Sequence, residues 1–85
     1  MLESAQIRAA RALLGWHQEA LAKRAKIGLA TIQRLERAPP GPVMAHVTTV
    51  VKIIACLEKA GIAFIAEDNS GGKGVRFKQA RKGDR

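Results

Sequence analysis

The chain has 85 residues, enough for one compact domain with a modest core. Fifteen Lys and Arg against seven Asp and Glu give a net charge of +8. An excess of that size favours nucleic acid, an anionic membrane or an acidic protein as partner. A single cysteine, Cys56, rules out an internal disulfide, and no apolar run approaches the roughly 18 residues of a bilayer span. With no signal-peptide pattern at the N-terminus, a reduced, cytoplasmic location is expected.

In chain order, residues 4–14 are expected to form a helix capped by Ser4, with Ile7, Ala10 and Leu14 on one face and Gly15 as its stop. Trp16 and His17 bridge to a short helix at about 18–25, with Leu21, Ala22 and Ala25 inward. Lys26, Ile27 and Gly28 leave room only for a tight turn. A third helix at about 29–37 turns Ile32 and Leu35 inward. It ends at Ala38-Pro39-Pro40-Gly41-Pro42, because proline removes a donor and restricts the residue before it.

A longer helix is expected at about 46–60, with Val47, Val50, Val51, Ile54 and Leu57 as its apolar stripe and Gly61 closing it. The period then changes from 3.6 to 2. Ile62 to Ile65 reads as a strand, Asn69 to Gly74 as a turn and Val75-Arg76-Phe77 as a second strand, which together make a β-hairpin. Residues 79–85 read as a polar, basic, flexible tail.

Two short helices joined by a three-residue turn form a helix-turn-helix. At about 100° per residue, Ile32 and Leu35 share the buried face of the second helix. Ala30, Gln33, Arg34 and Arg37 project the opposite way, with Leu29 on the flank. Arginine matches the two acceptors of guanine, and glutamine matches the donor–acceptor pair of adenine. A small residue such as Ala30 lets the backbone approach the bases. Gln18, at the start of the preceding helix, is placed to hold a phosphate.

The run Gln18-Glu19-Ala20-Leu21-Ala22-Lys23-Arg24-Ala25, with Thr31-Ile32 and Leu35-Glu36, resembles the Cro/phage-repressor (XRE-like) helix-turn-helix family, whose pattern is SQEELAxxAGVSxxTIxxxExG. Arg11-Ala12-Leu13-Leu14-Gly15-Trp16 resembles the segment before that motif. The likeness spans about residues 5–38 and continues weakly through Thr49–Gly61. It implies a mainly α, lambda-repressor-like bundle of four to five helices, here with a short C-terminal β-hairpin. It implies a bacterial or phage regulator of transcription, and it maps the phosphate-contacting glutamine to Gln18 and the recognition positions to Leu29, Ala30, Gln33, Arg34 and Arg37. The core alanine and isoleucine of the pattern map to Ala22 and Ile32. Three positions depart from the pattern. Lys26 replaces a turn glycine, at a cost of about 1 kcal/mol if left-handed. Gly28 replaces a serine cap, and His17 replaces the Ser or Thr before Gln18.

Plainer roles are expected elsewhere. Trp16 reads as a core anchor and Cys56 as a small buried hydrophobe. His17, His46 and Cys56 show no metal-site spacing. Gly71-Gly72-Lys73-Gly74 lacks the rest of a phosphate loop and reads as a hairpin turn. No acid pair, nucleophile–base set or metal cluster suggests an enzyme, and no cofactor is expected. The expected layout is a DNA-binding domain at 1–61, a dimerisation hairpin at 62–78 and a basic tail at 79–85. Double-stranded DNA is the expected partner, read by a homodimeric regulator acting as a repressor. Two rivals are an antitoxin that also binds an acidic toxin, and a basic adaptor for protein or RNA.

Overall fold

A computed structural model describes residues 2–80. It contains four helices, α1 (Ser4–Leu14), α2 (Gln18–Ala25), α3 (Leu29–Arg37) and α4 (Val47–Lys59), then strands β1 (Ile62–Ile65) and β2 (Gly74–Phe77). The mainly helical bundle with a C-terminal hairpin is therefore as expected. The last five residues of the expected tail, 81–85, lie outside the described residues.

The helix ends follow from local chemistry. Glu3, not Ser4, holds the cap position of α1, and the Gln6 side chain accepts the Glu3 backbone N–H at 2.9 Å. This is a capping box with the acid and amide in reciprocal positions. Ser4 is instead the first helical residue, and its buried hydroxyl has no hydrogen-bond partner among the described residues. Gly15 ends α1 in the left-handed region, where the missing Cβ removes the steric penalty. Lys26 ends α2 in the same region at φ 59° without that relief.

One core joins all the elements. Ile7, Leu21, Ile32, Leu35, Ile53, Leu57 and Ile62 are each under 2 % exposed, and complete burial of such a side chain contributes about 1.5–3 kcal/mol. They come from α1, α2, α3, α4 and β1, so each of these elements is covered by the others. The hairpin pairs antiparallel with Ile62 opposite Phe77 and Ile65 opposite Gly74. It folds back on its own chain: Gln6 Nε2 donates to the Gly74 carbonyl at 3.1 Å, and Lys73 lies 3.5 Å from the Glu3 carboxylate.

The inward face of α4 differs from the expected one. Val50, Ile53 and Leu57 are buried, while Val47 and Val51 are 73 % and 57 % exposed and Ile54 is half-buried. The helix is apolar around most of its circumference, so periodicity alone selected the wrong phase. Ile53, absent from the expected stripe, is completely buried.

Candidate nucleic-acid interface

The expected boundaries of α2 and α3 hold residue for residue. The turn between them closes through the Ile27 N–H to the Ala22 carbonyl at 2.9 Å, the 6→1 bond of a Schellman-type helix end. Leu21, Ala22 and Ala25 of α2 and Ile32 and Leu35 of α3 are all buried, which locks the two helices into a single unit.

This packing decides what α3 presents. With Ile32 and Leu35 at 0 % and 1 % exposure, Ala30, Arg34 and Arg37 are exposed and Gln33 and Leu29 are half-buried. The sorting agrees with the helical count. The outer surface of α3 thus offers two guanidiniums and an amide around one small residue, the chemistry that pairs with base edges. Arg34 Nη1 also reaches the Met44 carbonyl at 3.5 Å. Beside it an open concavity of about 530 Å³ is lined by Thr31, Arg34, Met44, Ala45, His46 and Thr49. The polar residues of the α3–α4 loop and the first turn of α4 therefore border the same surface.

Beneath the unit lies a polar knot that periodicity does not reveal. Glu36 of α3 is 5 % exposed. Its Oε2 accepts Arg11 Nε at 2.6 Å, and its Oε1 accepts Arg11 Nη2 at 2.7 Å and Gln18 Nε2 at 3.0 Å. Arg11 Nη1 donates to the Trp16 carbonyl at 2.9 Å, and Arg8 donates to the Glu36 carbonyl. The bidentate bond to Glu36 raises the Arg11 pKa above its ordinary value, despite partial desolvation. A fork–fork pair adds direction as well as energy, and here it fixes α3 relative to α1 and α2. Gln18 thus helps to position α3. The sequence did carry one signal for the knot: around α3, Glu36 falls between Leu29 and Ile32, so an acid there needs a partner.

Trp16 is half-buried, packs against the core and carries the Arg24 guanidinium 4.7 Å from its ring centroid. Cys56 is half-buried, and desolvation raises its thiol pKa against the opposing pull of Arg24 and Lys59. The shift is away from the thiolate, the reactive form of a cysteine. No helix among the described residues is long and apolar enough to cross a membrane.

Comparison with known proteins agrees with this geometry. No curated protein matches the chain. The family described as helix-turn-helix does, over residues 7–60, from Ile7 within α1 to Ala60, the cap of α4. That span holds the α2–turn–α3 unit, the Arg11–Glu36 knot and the exposed face of α3, and the chain belongs to the Cro/phage-repressor-like (XRE-like) helix-turn-helix family of DNA-binding regulators.

Proposed function

We propose that this protein is a sequence-specific, homodimeric transcriptional repressor of the cytoplasm that places α3 in the major groove of double-stranded DNA. The observation that carries this reading is the sorting of α3: Gln33, Arg34 and Arg37 lie on the side opposite the buried Ile32 and Leu35, with both arginines exposed. Gln33, Arg34 and Arg37 read bases, Ala30 and Leu29 make close apolar contact, and Gln18 with the first turn of α2 meets a phosphate. The net charge of +8 supplies the sequence-independent attraction. One such unit spans only a few base pairs, so the protein acts as a two-fold pair on half-sites about one helical turn apart. In this layout residues 1–61 form the DNA-binding domain and the C-terminal half supplies the dimer contact.

Titration of labelled duplexes at rising salt tests the reading. Binding should weaken steeply with salt, because each neutralised phosphate releases condensed counterion. Arg34→Ala should cost about 1–3 kcal/mol and relax preference at one base position. Salt-independent binding, or an unchanged preference in Arg34→Ala, contradicts the assignment.

A further inference from the structure

On α4, the residues left outside the core form an ordered surface. Val47, Val51, Ile54 and Glu58 recur at spacings of four, three and four, the pattern of a two-helix seam. Val47 and Val51 are 73 % and 57 % exposed, and Ala55 beside them is also exposed. Ile54 joins this stripe to an apolar cleft of about 260 Å³ whose lining includes Leu2, Phe64 and Ile65. Lys52 and Lys59 are exposed on the flank of the stripe, where a rim of charge borders the apolar centre, as in protein interfaces.

The two ends of α4 are complementary in charge. Its first turn contains no acidic residue, and the His46 side chain at its cap position makes no capping bond. The positive end of the helix dipole is therefore uncompensated. At the other end the exposed Glu58 makes no ion pair among the described residues. An antiparallel partner brings each unused group to the other.

We infer that a second copy of this chain packs its α4 antiparallel against this stripe, with Val51 facing the partner's Ile54 and Glu58 meeting the amino end of the partner's α4. The contact is self-complementary, as a two-fold interface requires. It rests on the homodimer reading above and specifies the surface: the outward face of α4 is the seam, and the hairpin stays folded on its own chain.

Sedimentation of the full chain at micromolar concentration is the test. The wild type should be a dimer. Val51→Lys, at a position exposed in the protomer, should keep its helical circular dichroism and raise the dimer dissociation constant by about a hundredfold or more, since both copies lose an apolar contact. Glu58→Lys should weaken the dimer less. For the register, chains carrying Val51→Cys and chains carrying Ile54→Cys, both with Cys56→Ser, are oxidised separately and mixed. The mixture should cross-link faster than either chain alone. A monomeric wild type overturns the homodimer reading and this seam with it. A dimeric wild type with an equally tight Val51→Lys dimer, or with no preference for the mixed cross-link, overturns the seam alone.

Discussion

Helices α3 and α4 are neighbours in sequence and solve the same packing problem in opposite ways. In α3 the apolar residues are few, and Ile32 and Leu35 are consumed entirely by the core. Apart from the half-buried Leu29 on the flank, the outward residues are polar, cationic or small. In α4 the apolar residues outnumber the core positions available to them: Val50, Ile53 and Leu57 go inward while Val47 and Val51 stay in solvent. A helix with a polar outer face can meet the charged, wet surface of DNA, whereas one with apolar residues left over gains by covering them. In the proposed function the difference separates two tasks, recognition on α3 and association on α4, so that each should be alterable without the other.

The largest expected effect lies in the knot that joins α3 to α1 and α2. Glu36→Ala leaves the half-buried Arg11, whose side chain is 19 % exposed, without its carboxylate. Breaking a fully buried pair from one side costs about 3–5 kcal/mol; with Arg11 half-buried, the loss should lie at or below the lower end of that range, and urea unfolding should shift to lower denaturant. A loss below about 1 kcal/mol, the range of exposed pairs, contradicts the structural role assigned to the pair. Arg37→Ala comes next and separates stability from recognition. It should cost about 1–3 kcal/mol in binding to the preferred site and leave the unfolding midpoint nearly unchanged, because the side chain is solvent-exposed.

Smaller effects belong to the turn that joins the unit. Lys26 is left-handed at φ 59°, so Lys26→Gly removes a steric penalty and should raise stability by about 1 kcal/mol, less the entropy that glycine loses on folding. Gly28 holds the cap position of α3 in extended backbone and gives it no side-chain bond. Gly28→Ser adds an oxygen where an added Cβ would meet nothing closer than Thr31 Oγ1 at 4.0 Å. It should stabilise by only a few tenths of a kcal/mol. A destabilised Lys26→Gly in thermal melts contradicts the strain.

What the sequence made legible follows the same contrast. The bounds of α2 and α3 and their buried residues were readable because punctuation at Gly15, Gly28 and Pro39 frames a sparse apolar pattern with only one consistent phase. In α4, valines and isoleucines at nearly every second or third position satisfy several phases, and only the packed neighbours choose among them. The cap of α1 was misplaced by one residue because Ser4 is a good cap by type, while Glu3 and Gln6 form the box as a pair. The Arg11–Glu36 bond joins residues from the first and third helices, and no local period encodes such a contact. The candidate base-reading residues were legible since they are defined by exclusion from a two-residue stripe. The bordering His46 and Thr49 came into view only when the loop was folded beside Arg34.

The central claim is that the outward face of α3 reads DNA sequence. Selection of bound duplexes from a random pool, carried out in parallel for the wild type and for Gln33→Ala, tests it most directly. The wild type should enrich a two-fold symmetric motif with half-sites about one helical turn apart, and Gln33→Ala should lose preference at a symmetric pair of positions and nowhere else. A pool that shows no enriched motif, or the same motif from both proteins, would contradict it.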